Sequence, residues 1–165
     1  MTLRANIVGI QVKPPTQDLE ALSRRLRELG GTPLQRQLRA ALVKAAKPAA
    51  TAVKQSALAI PVKGPKHTGL RKQLAAATRV SVRTAGPTVG VRIAVSGAQM
   101  PEGKENLPAL MEGWERWRHP FFGDYSRWYG QPAHPYFFRT LDRHLPRIAR
   151  DVDRVVDDIV RELKL

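Results

Sequence analysis

Every aromatic ring in this chain lies between Trp114 and Phe138: three Trp, three Tyr and four Phe. Large rings supply much of the burial in a small core and much of the anchoring at an interface. A chain that gathers all of them in one stretch is building one anchor there, taken up either by its own core or by a partner. Arg116, Arg118, Arg127 and the pairs His119-Pro120 and His134-Pro135 stand among the rings, so part of the segment is expected at the surface. Trp, Tyr and Arg are the residue types that most often anchor protein interfaces. Pro120, Gly123, Gly130, Pro132 and Pro135 predict a structured loop rather than a regular element.

Charge divides the chain in two. Residues 1–100 hold 17 Lys and Arg against three acids (Asp18, Glu20 and Glu28), a net +14, whereas residues 101–165 hold 11 of each sign. No acid stands between Glu28 and Glu102. Such a split points to a surface that faces nucleic acid or an acidic protein. The 165 residues suffice for one domain with its own core. With no Cys, a disulfide framework and Cys-based metal sites are excluded. No apolar run reaches the length of a membrane span, and the first residues lack the apolar core of a signal peptide. A soluble, intracellular product without a membrane partner is expected.

Periodicity gives an α+β fold. Residues 6–12 read as a strand with Val8, Ile10 and Val12 on one face. Pro14-Pro15 end it, and a helix on Leu19, Leu22, Leu26 and Leu29 follows, stopped by Gly30-Gly31. Thr32-Pro33 open a longer helix to about Leu58, with Leu38, Leu42, Ala46, Ala49 and Val53 on its apolar side. Arg36, Lys47 and Lys54 fall on nearly one line opposite, and Pro48 should kink the helix. Residues 60–69 form a basic Pro- and Gly-rich loop carrying Lys63 and Lys66; a short helix capped by Thr68 is expected over Leu70 to Ala77. Arg79–Arg83 and Val89–Val95 alternate as an antiparallel hairpin with valines inward and Arg79, Arg83 and Arg92 on the wet face. Leu107 to Arg118 begins as a helical turn and continues extended. A final helix from Tyr136 to Leu163 runs on Phe137, Leu141, Leu145, Ile148, Val152, Val155, Ile159 and Leu163, bent at Pro146, long enough to project or to pack on copies of itself. Its outer face spaces Arg147/Asp151, Arg154/Asp158 and Asp157/Arg161 for pairing.

The expected architecture is therefore a small antiparallel sheet of three or four strands packed against N-terminal helices and a long C-terminal helix, with a long aromatic loop. It is one domain: strand and helices over 1–59, basic loop and sheet over 60–118, aromatic loop over 119–135, helix over 136–165.

Catalytic signatures are wanting. There is no Cys nucleophile, no G-x-S-x-G elbow and no G-x-x-x-x-G-K-[ST] phosphate loop. His119, His134 and His144, taken with Asp124 or Asp142, match no compact metal spacing. Glu112 and Glu115 are close in sequence, but an acid/base pair needs a pocket as well. No enzyme activity, metal or cofactor is expected. The basic residues alternate with Ala and Val rather than with rings, so any DNA contact should be to phosphate, sequence-blind and salt-sensitive.

Four short motifs, in order, resemble the tail-completion or head–tail joining proteins of long-tailed bacteriophages. These are Thr68-Gly69-Leu70-Arg71 ahead of the hairpin, Leu110-Met111-Glu112-Gly113, His119-Pro120-Phe121-Phe122-Gly123 with Trp128 and Gln131-Pro132 behind it, and His134-Pro135-Tyr136-Phe137 before the last helix. Pro108-Ala109-Leu110 stands where the family usually has Tyr-Ala before the Glu. The resemblance runs from residue 68 onward. It implies a non-enzymatic virion subunit, assembled in the bacterial cytoplasm, that forms a homo-oligomeric ring, commonly a hexamer, at the head–tail junction. A tail terminator capping the tube, or a sequence-nonspecific DNA-binding accessory protein, is the alternative. Its neighbours would be a head-connector or stopper ring and a tail-terminator or tail-tube ring, with genomic DNA passing through. On this view Trp114, Trp117, His119, Phe121, Phe122, Trp128, Tyr129, His134, Tyr136 and Phe137 would join subunits or rings. Arg36, Lys47, Lys54, Lys63, Lys66, Arg71, Arg79, Arg83 and Arg92 would face the DNA channel or an acidic neighbour.

Overall fold

Alanine at every few positions lets one helix sit close to everything else in this chain. The computed structural model describes residues 7–12, 21, 24, 25, 28, 32–61, 69–84, 90–113, 115–121 and 123–162. Its longest element is α1 (Thr32–Leu58), whose Leu38, Leu42, Ala46, Ala49 and Val53 are buried as the period requires, joined by Ala45, Ala50 and Ala57. Small side chains allow close approach, while each fully buried Leu or Val contributes about 2 kcal/mol. Pro48 cannot donate to the carbonyl four residues before it, yet the helix continues for ten residues beyond. Of the first predicted helix, on Leu19 to Leu29, Ala21, Arg24, Arg25 and Glu28 are helical and the rest lies outside the described residues.

A short helix, α2 (Leu70–Ala77), folds back on α1. The expected cap Thr68 lies outside the described residues; the N-cap position is taken by Gly69 at φ +74, with no side-chain cap. That left-handed conformation suits glycine. Arg71 fixes the junction, its guanidinium donating to the carbonyls of Leu58 at 3.0 Å and Ile60 at 3.1 Å.

Helix α2 runs directly into β2 (Thr78–Arg83), which pairs antiparallel with β3 (Gly90–Ser96); β1 (Ile7–Val12) pairs on the other side of β3, giving the order β1-β3-β2. Val8, Ile10 and Val12 stand opposite Val95, Ile93 and Val91, and on the far side Val80 and Val82 stand opposite Ile93 and Val91. This is the predicted alternation. Val82, Val91, Ile93 and Val95 are buried against α1, and Arg79, Arg83 and Arg92 are exposed on the opposite face.

A single 3-10 turn (Gly97–Gln99) leads to α3 (Leu107–Glu112). The aromatic stretch that follows is not a loop. It forms a second antiparallel sheet, the hairpin of β4 (Arg116–Phe121) and β5 (Asp124–Pro132). The prolines and glycines that read as breakers occupy tolerated places. Pro120 sits in a strand of a two-stranded sheet, where a missing N–H leaves no ladder uncompleted, and Gly123 turns the chain at φ +88. Aromatic residues are themselves good strand formers.

The C-terminal helix is likewise divided. After α4 (Phe138–Asp142) the chain breaks at Arg143 and His144 and resumes as α5 (Leu145–Glu162). Pro146 does not bend a continuous helix; it stands second in a new one, where its missing N–H costs no hydrogen bond. Helix α5 does not project. Ile148, Val152 and Ile159 enter the common core, and the helix lies along α1 and β1. Of the expected ion pairs, Arg147–Asp151 forms at 3.7 Å, whereas Arg154 turns to Asp151 at 3.5 Å and Arg161 to Asp158 at 3.4 Å. Three-residue spacing serves such pairs as well as four.

Candidate functional site

The base of the β4–β5 arm is closed by one carboxylate. Glu112, the last residue of α3, is only 7% exposed. Its Oε2 accepts the backbone N–H of Tyr136 at 2.9 Å and of Phe137 at 2.8 Å, and its Oε1 accepts that of Phe138 at 2.9 Å. Residues entering a helix carry N–H groups with no intrahelical acceptor, and buried N–H groups are costly unpaired. Glu112 supplies the missing acceptor. Two backbone bonds flank it, His134 N–H to the Met111 carbonyl at 2.9 Å and Ala133 N–H to the Glu115 carbonyl at 3.1 Å. The Glu-x-Gly segment and the His-Pro-aromatic segment thus clasp one another. Glu112 and Glu115 do not converge as an acid/base pair, since Glu115 is exposed and Glu112 faces backbone N–H groups.

Beneath the clasp, Tyr136 and Phe137 are among the largest fully buried side chains. They belong to the chain's own core, buried rather than presented as the interface rings they were expected to be. The Tyr136 hydroxyl has no hydrogen-bond partner among the described residues; burial, and then the charge of Glu112, push its pKa well above the ordinary tyrosine value. Phe138 packs edge-on against Phe137 but faces outward.

Above the clasp, among the described residues, the strands of the arm pack chiefly on each other. One face carries a ladder of rings: Trp117 lies 5.2 Å from His119, and His119 lies 5.8 Å from Tyr129. Trp117 is partly buried and rests on the core. On the other face Arg116 donates to the Gly130 carbonyl at 3.0 Å, across the strands.

The tip is exposed and yet internally fastened. Tyr125 is 76% exposed, Trp128 49%, Tyr129 48% and Phe121 38%. The Trp128 indole N–H donates to the Tyr125 carbonyl at 2.9 Å, the two rings meet edge-on at 6.2 Å, and the Arg127 guanidinium sits 4.9 Å over the Phe121 ring. Ser126 donates its hydroxyl at 2.6 Å and its N–H at 2.9 Å to Asp124, holding that carboxyl below the usual carboxylate range. Opposite Pro120/Phe121 the register slips, so Tyr125, Ser126 and Arg127 bulge outward. Tyr125, absent from the expected interface set, is the most exposed ring among the described residues. Its lone Asp-x-Ser neighbourhood was the only sequence signal for it.

The basic residues form two separate surfaces. Arg36, Lys47 and Lys54 are exposed along the outer side of α1, beside exposed Val43 and Leu58. Arg79, Arg83 and Arg92 occupy the open face of the sheet, which looks the other way because α1 covers its inner face. Arg71 is half-buried and tied to helix-end carbonyls. His134 is half-buried beside the clasp. Trp114, Phe122, Lys63 and Lys66 lie outside the described residues. Among the described residues no three His, Asp or Glu side chains gather as a metal ion would need, and no helix is long and apolar enough to cross a membrane.

No family model, no curated protein and no solved structure matches the chain.

Proposed function

We propose that this chain is a non-enzymatic structural subunit of a tailed-phage particle, acting at the head–tail junction in tail completion. The observation that carries the reading is the clasped arm. Two of the four motifs that resemble the tail-completion family, Leu110–Gly113 and His134–Phe137, meet through Glu112 at the base of a hairpin built from the third. An exposed patch of rings beside Arg is the composition that anchors protein–protein contacts. Its fastened tip would lose little freedom on docking. Repeated head-to-tail, one arm contact per copy closes a ring when the rotation allows. The ring, commonly a hexamer in the family it resembles, would sit between connector and tail rings and let DNA through.

Peptide mass spectrometry of purified particles from the genome that encodes the chain, with antibody labelling viewed by electron microscopy, tests this. The reading expects label at the junction of head and tail. Label along the tail tip, or none in particles, contradicts it. The arginine-bearing open face of the sheet favours a second reading, a sequence-nonspecific DNA-binding accessory protein. That reading expects the chain in infected cells but not in particles.

A further inference from the structure

We infer that the open face of the three-stranded sheet is a binding platform for the phosphate backbone of duplex nucleic acid, with Arg79, Arg83 and Arg92 as its contacts. The inference deepens the proposed passage of DNA by naming the surface that meets it, and it can be tested without any ring.

The argument begins with register. Arg79, Ser81 and Arg83 alternate onto the open face of β2, and Arg92 of β3 stands opposite Ser81. At about 3.3 Å per residue, Arg79 and Arg83 are roughly 13 Å apart along the strand, with Arg92 about 4.8 Å to the side and midway between them. Three guanidinium groups are thereby spread over about the length of four nucleotides of one strand, at ~3.4 Å of axis each. All three side chains are exposed. One nitrogen of Arg79 donates to the Ala76 carbonyl at the end of α2, which steadies that side chain. Guanidinium groups match phosphate oxygens with paired N–H donors.

What lies between the arginines decides the class of partner. Besides the arginines, β2 and β3 bring Ser81, Gly90, Ala94 and Ser96 to the open face, with no ring and no large apolar side chain. Protein interfaces have an apolar centre. Around these arginines β2 and β3 supply none, so an acidic protein would gain little there beyond charge. Without rings these strands cannot stack bases either, which leaves backbone phosphate. The sequence places no acid from residue 29 to residue 101, the span that contributes α1, α2, β2 and β3. The α1 surface differs, because Val43 and Leu58 stand exposed among its basic residues.

The experiment compares two charge-matched triple variants of the full chain, Arg79→Ala/Arg83→Ala/Arg92→Ala and Arg36→Ala/Lys47→Ala/Lys54→Ala. Binding to a fluorescein-labelled duplex of about 20 base pairs is followed by anisotropy from about 50 to 200 mM salt. The sheet variant should bind roughly tenfold more weakly at low salt, and its salt slope should be shallower by about 2.7, from three phosphates at 0.9 each. The helix variant should keep most of the wild-type slope. The double variant Arg83→Ala/Arg92→Ala, which keeps the Arg79 bond to Ala76 and is checked for wild-type circular dichroism, should lose about 1.8 of slope. Equal losses in both triples would mean bulk charge and overturn the platform, as would an unchanged sheet variant or a wild-type chain that does not bind at low salt. Displacement of the duplex by polyglutamate of equal charge, as readily as by unlabelled duplex, would also overturn it. A chain absent from particles that binds DNA through this face would end the virion reading and leave the platform standing.

Discussion

The carboxylate of Glu112 receives the backbone N–H of Phe137 at 2.8 Å, across 25 residues of sequence. The whole aromatic arm is contained in that interval. Whatever the arm contacts, this side chain, the two backbone bonds beside it and Trp117 packed on the core tie it to the body.

Replacing Glu112 with Gln should therefore cost about 3 kcal/mol, and Glu112→Ala about 4, since buried N–H groups would be left with poor or missing acceptors. Urea unfolding of the variants measures this directly. Such a loss is a large part of the stability of a domain this size. A change below about 0.5 kcal/mol would place the carboxylate outside the fold's essential bonds.

Phe137 and Trp128 should separate cleanly. Phe137→Ala removes a fully buried ring and should cost about 3–5 kcal/mol. Trp128→Ala removes a half-exposed ring and should change stability by about 1 kcal/mol or less, while abolishing assembly into particles. Circular dichroism and fluorescence of the soluble variants, set beside particle yield, distinguish a folding defect from an assembly defect.

Alkaline stability isolates Tyr136. Burial, with Glu112 nearby, raises its folded pKa above the unfolded value near 10, so the folded state holds the phenol proton more tightly. That contribution is complete below pH about 10 and is lost as pH rises toward the folded pKa, at up to about 1.4 kcal/mol per pH unit. Tyr136→Phe should remove this slope. It should also be neutral or slightly stabilising near pH 7, because the hydroxyl it deletes has no partner among the described residues. Thermal melts of both proteins between about pH 8 and 11 provide the comparison.

Much of the fold was legible because periodicity reports on burial. Leu38, Leu42 and Val53 in α1, and Val91, Ile93 and Val95 in β3, are buried as their spacing requires. The arm was not legible, since its alternation is masked when residues on both faces are large and when Pro120, Gly123 and Gly130 read as breakers. The division of the last helix was hidden for a related reason. Its apolar stripe passes through Leu141, Leu145 and Ile148 without interruption, and only the backbone breaks at Arg143 and His144. The clasp was visible as two motifs but not as one object. A carboxylate gives no sign in sequence of which distant N–H groups it will meet. Exposure of the sheet arginines followed from alternation alone, whereas Arg71, equally basic, is tied to Leu58 and Ile60 by tertiary contact.

Charge reversal at Lys47 and Lys54 should leave folding intact, both side chains being exposed on α1. It should lower infectious particle yield in a complementation assay if the outer side of α1 meets a neighbouring ring. Unchanged yield would remove α1 from the contact surfaces and leave the arm and sheet face to account for assembly.

The most direct measurement is electron cryo-microscopy of assembled particles from the genome that encodes this chain. The account predicts a closed ring of copies at the head–tail junction, each with Tyr125 and Trp128 buried against an adjoining subunit and the Glu112 clasp intact. A junction complete without this chain, or copies whose arm tips stand free in solvent, would contradict it.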